Sequence, residues 1–244
     1  MSISVQLYTV RHALDADLRG AVTRLADIGF SQVEPYNFVA LADDLADALA
    51  TTGLTAPSGH VPLLSSDQDE VFAAASRLGV TTVIDPYIPE EHWKDADSIR
   101  DTAQKLNRAA ERAAEHGIRV GYHNHWWELQ NTVEGTSALE FFAGLLDPGV
   151  VLEVDTYWAA VGGADPAGLL ERLGSRVVAI HIKDGPKNLD MKAQLPAGQG
   201  AMDVPGVIAA ATSLELGVLE LDDYDGDVFD ALAQSLAFVS KVMG

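Results

Sequence analysis

The stretch Val150-Val151-Leu152-Glu153-Val154-Asp155, answered further on by Val177-Val178-Ala179-Ile180-His181-Ile182-Lys183, decides the fold. Both are short β-branched runs, and side chains in a strand alternate between two faces. In the first run Val150, Leu152 and Val154 share one face, while Val151, Glu153 and Asp155 share the other. In the second, Val178, Ile180 and Ile182 oppose Val177, Ala179, His181 and Lys183. The preceding run sets Gly121, His123 and His125 against Val120, Tyr122 and Asn124, and the last run has the polar face Val218, Glu220, Asp222. The apolar faces are expected to pack on helices, which leaves the polar faces pointing into a barrel. Inward charges are costly to desolvate unless they are paired or bind a metal. Taken alone, Glu153 reads as a structural partner of Lys183 or Arg119, and Glu220 as part of the acidic run through Asp227. Four adjacent strands delivering acid or imidazole to one mouth favour a site over a solvated face.

Outward from these runs the same unit repeats. Strands are expected at Ile3–Leu7, Gln32–Glu34, Thr55–Ser58, Thr81–Asp85, Arg119–His123, Val150–Asp155, Val177–His181 and Val218–Leu221. Ala/Leu-rich segments with helical spacing lie between them, such as Leu18, Val22, Leu25, Ala26 and Ile28. Gly29, Gly53, Gly79, Gly117 and Gly217 stand where helices should stop, since glycine tolerates the left-handed conformation of a helix end. Eight β-then-α units in 244 residues predict a (β/α)8 TIM barrel, a single domain over residues 1–244. The first strand is followed by no Gly-x-Gly-x-x-Gly, which argues against a doubly wound sheet.

The chain carries 16 Lys+Arg against 36 Asp+Glu, a net charge of −20, and lacks any basic residue between Lys192 and Lys241. Nucleic-acid binding needs Lys and Arg for phosphate contacts, so that class is disfavoured. With no cysteine there are no disulfides, thiolate metal sites or cysteine nucleophiles. The opening Met1-Ser2-Ile3-Ser4-Val5 enters a strand directly, and no apolar run approaches a membrane span. The expectation is a cytoplasmic protein with no membrane partner. Apolar residues on outward helix faces are compatible with a homodimer.

At the polar strand ends the chain resembles the sugar phosphate isomerase/epimerase family, the xylose isomerase-like TIM barrels. The resemblance runs over nearly the whole length. It is carried by Val5-Gln6-Leu7-Tyr8-Thr9-Val10-Arg11, Gly29-Phe30 through Val33-Glu34, Ser58-Gly59-His60-Val61-Pro62 and Tyr122-His123-Asn124-His125 with Glu128. Glu153-Val154-Asp155-Thr156-Tyr157-Trp158, His181-Ile182-Lys183-Asp184 and Gly198-Gln199-Gly200 with Asp203 complete the ordered set. The family implies one divalent metal at the mouth, here held by Asp155, His181 and Glu220. Many members place a fourth ligand, a Glu, on strand five, where this chain has His123. Glu128 is then expected to supply the carboxylate, with His123 or His125 as competing ligands. An oxygen-rich set with one imidazole favours Mn²⁺ or Mg²⁺, with Co²⁺ or Zn²⁺ as further candidates.

The resemblance implies isomerisation or epimerisation of a ketose or keto-sugar by proton transfer through a metal-stabilised enediolate. Glu128 and Glu220 are candidate bases, His123 and His125 candidate proton shuttles, and Lys183 a group to polarise a carbonyl or hold an anionic substituent. Lys183, Lys187 and Lys192 would suit a phosphorylated sugar, but a solvated loop with ordinary surface lysines is the preferred reading of that cluster. Gln6, Glu34, His60, Trp127, Trp158 and Lys183 are the expected substrate contacts, and packing competes as the role of the two tryptophans. An inosose dehydratase-like lyase is the alternative chemistry, and a non-catalytic sugar- or metal-binding barrel the alternative of another class.

Overall fold

A computed structural model describes residues 1–244. Eight parallel strands, β1 (Ser2–Gln6), β2 (Gln32–Glu34), β3 (Ser58–His60), β4 (Thr82–Asp85), β5 (Arg119–His123), β6 (Val151–Asp155), β7 (Val177–Ile182) and β8 (Leu216–Leu219), form one sheet. They lie in the order β2-β1-β8-β7-β6-β5-β4-β3, each hydrogen-bonded to the next. Between β2 and β3 the ring closes through single bonds: Val33 N donates to Thr55 O (2.9 Å) and His60 N to Pro35 O (2.8 Å). This is the expected TIM barrel. No helix is long and apolar enough to cross a membrane.

The main helices alternate with the strands: α1 (Leu18–Ile28), α2 (Ala42–Thr52), α3 (Gln68–Leu78), α4 (Ala96–Ala114), α5 (Ala138–Leu145), α6 (Pro166–Leu173), α7 (Val204–Ala210) and α8 (Val228–Met243). Aspartate starts most of them. Asp17, Asp67, Asp95, Asp165, Asp203 and Asp227 each accept a backbone N–H of the first turn with a side-chain oxygen. Such a cap contributes roughly 1 kcal/mol, and the negative charge also suits the positive helix end. Part of the −20 charge is therefore structural. Helix residues such as Leu25, Phe72, Leu106 and Leu232 bury against outward strand residues such as Val33, Val83, Val154 and Leu219 to make the main core. Each of those side chains contributes about 1.5–3 kcal/mol by leaving water.

Three expectations need correction. The third strand begins at Ser58 instead of spanning Thr55–Ser58, because Pro57 has no N–H to donate and contributes only its carbonyl, to Thr81 N and Thr82 N. Gly217 stops no helix. It lies inside β8, paired with Ile3 and Ile180, while α7 already ends at Ala210. In β7 the simple alternation breaks: the register with β6 slips at Leu152/Glu153, so Leu152 faces Val177 and Glu153 faces Ala179. This bulge puts Val177 in the outer core, and Val178 packs with Val151 and Ala179 in a small separate cluster. Beyond the bulge the predicted face of Ala179, His181 and Lys183 holds.

Candidate active site

Register assembles the site. His123 pairs with Glu153 across β5–β6, and Asp155 with His181 across β6–β7. Val218 pairs with His181 across β7–β8, so Glu220, two residues on, comes beside Lys183. Side chains separated by long stretches of sequence therefore meet at the strand ends, and nearly all are fully buried.

The deeper half is a ring of carboxylates and imidazoles. His60 Nε2 lies 2.5 Å from Glu153 Oε2 and 3.1 Å from Glu34 Oε1. His181 Nε2 lies 2.9 Å from Glu34 Oε1 and 3.0 Å from Glu153 Oε2, while His123 Nδ1 is 3.1 Å from Glu153 Oε2. Gln6 Nε2 donates to Glu34 Oε1 (2.9 Å), and Ser58 Oγ donates to the other oxygen of Glu34. Burial pushes the Glu34 carboxyl up, but His60 and His181 outweigh it and hold the group ionised well below its usual range. Burial likewise pulls His60 down, but Glu34 and Glu153 outweigh it and raise the imidazole to about 9. His123 goes the other way: burial and the nearby His181 keep it neutral.

The outer half opens to the pocket. Lys183 Nζ lies 2.9 Å from Asp155 Oδ2, 2.8 Å from Glu220 Oε2 and 2.8 Å from Asp222 Oδ2, and His181 Nδ1 is 2.6 Å from Glu220 Oε2. Burial lowers the tendency of Lys183 to hold its proton, but Asp155, Asp222 and Glu220 more than restore it. Asp155 Oδ1 accepts Trp158 N at the start of the short helix Thr156–Val161. Its Oδ2, although near Lys183, is not aligned for a hydrogen bond, and this buried oxygen has no donor. Burial, only partly countered by Lys183 and His181, raises Asp155 to about 6. The ligand atoms of Asp155, His181 and Glu220 lie within 4.8 Å of one another, as do those of His60, His123, Glu153 and His181, and either group could hold a metal ion.

Glu128 joins neither group. It accepts Tyr122 OH (2.6 Å) on one oxygen and His125 N (2.9 Å) on the other. Both oxygens being used, it anchors the turn that carries His125, whose Nδ1 lies 4.0 Å from Glu128 Oε1. Burial raises the Glu128 carboxyl to about 8. His125 stacks on Trp127 at 4.4 Å between ring centroids.

Above the cluster lies a cavity of about 540 Å³. Gln6, His60, His123, Lys183, Glu220 and Asp222 form its polar floor, and His125, Trp127 and Trp158 stand in its wall. Of the expected substrate contacts, Glu34 alone does not line the cavity; it sits beneath it, in the deeper ring. Glu153 pairs with three histidines, not with Lys183 or Arg119; Arg119 instead binds Glu215 and Thr82. Asp222 turns inward to Lys183 and is no part of a surface run. Neither Lys187 nor Lys192 lines the cavity, and both are exposed. Gln194 is a residue that alternation could not reach, since it lies in the loop after β7. Its side chain exchanges two hydrogen bonds with Asp222 (2.6 and 2.8 Å). The Gly198-Gln199-Gly200 segment is explained by Asp184, whose carboxylate collects the N–H groups of Gly185, Gly198, Gly200 and Met202. A side chain at position 200 would collide with it.

The profile of the xylose isomerase-like TIM barrel family matches residues 22–240. Inosose dehydratase 2 of Bacillus cereus is 27% identical over 149 residues, 58% of this chain and 47% of the relative, so the chain spans about half the length of that protein. A 2-epi-5-epi-valiolone 7-phosphate 2-epimerase of an Actinoplanes species is 28% identical over 193 residues, 78% of this chain and 67% of the relative. The crystal structure of a sugar phosphate isomerase/epimerase from Parabacteroides distasonis superposes with a TM-score of 0.85 at 23% identity, covering 98% of this chain and 93% of that one. That likeness is one of fold.

Proposed function

The chain belongs to the xylose isomerase-like TIM barrel family, and on that premise we propose that it is a divalent-metal-dependent isomerase or epimerase of a keto-sugar. The carrying observation is the convergence of Asp155, His181 and Glu220 at the polar floor of the cavity, with Lys183 at the same oxygens. The donor set fits a hard cation: two carboxylates and one imidazole, with a buried Asp155 oxygen that no donor satisfies. Mn²⁺ or Mg²⁺ suits it better than zinc. Glu128, with both oxygens engaged, is assigned to support of His125 instead of metal ligation.

A bound ion there supplies polarisation of a carbonyl and a template for the adjacent hydroxyl. Lys183 directs its ammonium to the same floor and stabilises negative charge growing on the carbonyl oxygen. Glu220, kept ionised by Lys183 and His181 against the pull of burial, is the carboxylate placed to take the carbon-bound proton. His125, held neutral by burial and by the nearby Lys183, moves protons between oxygens at the wall. Gln6 and His60 orient hydroxyls from the floor, and Trp127 and Trp158 exclude water. The chain would work in the cytoplasm on a small sugar.

A lyase is the second reading, favoured by the inosose dehydratases among its relatives. Both chemistries begin with the same proton removal. The test is metal content of the protein and of Asp155→Ala, together with exchange of substrate carbon-bound hydrogen in deuterated water. Stoichiometric metal lost in the variant and exchange by the parent support the proposal; a protein that takes up no Mn²⁺ on dialysis overturns it. Product spectra then separate the two, since dehydration creates an absorbing enone or diketone and epimerisation does not.

A further inference from the structure

Surface hydrophobicity is concentrated at one place. Eight large apolar residues are exposed on the chain, and four of them, Tyr8, Tyr87, Leu189 and Met191, rim the cavity above the polar floor. Tyr87 is 51% exposed, Leu189 58% and Met191 48%, values that leave much apolar surface in water at the mouth of a binding site. Exposed apolar side chains gathered around one cavity mouth mark a recognition surface.

The cavity is also larger than a lone sugar ring requires. Its volume of about 540 Å³ lies within the ~300–1,000 Å³ range of sites that enclose drug-sized ligands. Its lining is divided by depth. The floor is charged and buried, as a polyhydroxylated ring needs, whereas the rim is aromatic and aliphatic. Tyr87 stands edge-on to both His125 and Trp127, at 84° and 81°, and those two rings are stacked on each other. The loop after β7 turns Leu189 and Met191 to the cavity and leaves Lys187 and Lys192 outside its lining. Tyr157 OH holds that loop through Asn188, at 3.3 Å to both its N and its O. A phosphate would be met there by leucine and methionine; a flat apolar ring would be matched.

We propose that the substrate is a glycoside of a keto-sugar, its ketone on a ring carbon other than the anomeric one, carrying a planar aromatic aglycone, with the keto-sugar on the polar floor and the aromatic ring between Tyr87 and the Leu189/Met191 loop. This rests on the reading of the floor as a sugar site. Aromatic rings gain most from such walls, because offset and edge-on ring pairs add attraction to the burial of area. A second sugar would gain from Tyr87 but not from Leu189 and Met191.

Paired methyl and phenyl glycosides of glucose, galactose, mannose and xylose, each oxidised to the ketone at C3, provide the test, with binding followed by titration calorimetry and tryptophan fluorescence. For the sugar that binds, the phenyl glycoside should bind at least tenfold more tightly than its methyl counterpart. In the double variant Leu189→Ser/Met191→Ser, made at exposed positions that do not threaten folding, that ratio should collapse to about twofold or less. Equal affinity within each pair overturns the proposal, as does a ratio that survives the double substitution. Failure of every glycoside to bind overturns it too. Deuterium exchange on free keto-sugars reports separately on the floor, so a site for single sugars remains distinguishable from no sugar site.

Discussion

The two ring nitrogens of His181 look into different surroundings. On the Nε2 side Glu34, Glu153 and His60 form a ring of paired carboxylates and imidazoles, in which His60 reaches the cavity floor and one Glu153 oxygen has no donor. On the Nδ1 side Asp155, Glu220 and Lys183 lie under an open cavity, and one carboxylate oxygen goes without a donor. Each half keeps one buried oxygen without a donor, so what separates them is the cation: imidazoles carried on strands in the inner half, and a flexible ammonium below the cavity in the outer. Under the proposed function the inner half is the scaffold that holds His181 in one orientation, and the outer half is assigned to the cation and the substrate.

The largest loss of stability should come from opening the inner half. Glu153→Ala leaves the buried imidazoles of His60 and His181 sharing Glu34, with Glu220 still on the other nitrogen of His181, and removal of one member of a buried ionic network costs about 3–5 kcal/mol. Urea denaturation should show that loss. A drop below about 1 kcal/mol, or a folded variant that loses metal while keeping its stability, would break the distinction between scaffold and reactive half.

Next comes Lys183→Met, which removes the cation from the outer acids. Metal-free protein should lose on the order of 3 kcal/mol, since Asp155 and Glu220 are left buried without their partner. Mn²⁺ should restore most of that stability and bind more tightly than in the parent, because the ion and the ammonium compete for the same oxygens. Hydrogen exchange on substrate should nevertheless fall about a hundredfold. Destabilisation that Mn²⁺ leaves untouched would mean that Lys183 is a fixed strut and that the outer half resembles the inner one.

Much of this was legible in the chain because alternation is a local property. Asp155, His181, Lys183 and Glu220 follow from parity within their own strands, and the parity survives even the β7 bulge because the slip occurs before His181. The partners of Glu153 did not follow. Its face was known, but His60 reaches it across the barrel from β3, and no strand pattern encodes a cross-barrel contact. Glu128 illustrates the opposite limit: the family resemblance supplied a carboxylate near the mouth, while only the positions of Tyr122 OH and His125 N reveal that its oxygens are occupied. Gln194 and Asp222 depend on a loop whose path is set by backbone bonds to Asp184, which no periodicity reports.

Glu128 allows the comparison to be sharpened by pH, as it stands beside the reactive half without belonging to it. Its folded-state value, raised by burial to about 8, exceeds the ordinary 4.5. Between these limits the folded chain holds a proton that the unfolded chain has released, so stability falls as pH rises through the interval and levels off above it. Glu128→Gln cannot ionise. Its stability relative to the parent should rise by up to about 5 kcal/mol from the lower limit to the upper and stay flat beyond. A constant difference at all pH values would show that Glu128 is already ionised when folded, as a ligand carboxylate must be.

The smallest effect tests how the outer half is held in place. Gln194 and Asp222 exchange two hydrogen bonds, and Asp222 in turn accepts both of its Lys183 contacts at 2.8 and 2.9 Å. The loop after β7 thereby sets where the ammonium rests. Loss of a side-chain bond of this kind costs about 1 kcal/mol, and here it would appear as misplacement of Lys183. Gln194→Ala should lower kcat about fivefold with little change in melting temperature, since the loop is still fastened by Asp184. Gln194→Glu sets a second carboxylate against Asp222, and should lower kcat further at high pH than at low. If both variants instead raised KM and spared kcat, the loop would be acting on substrate entry, and the position of Lys183 would be fixed by the inner scaffold alone.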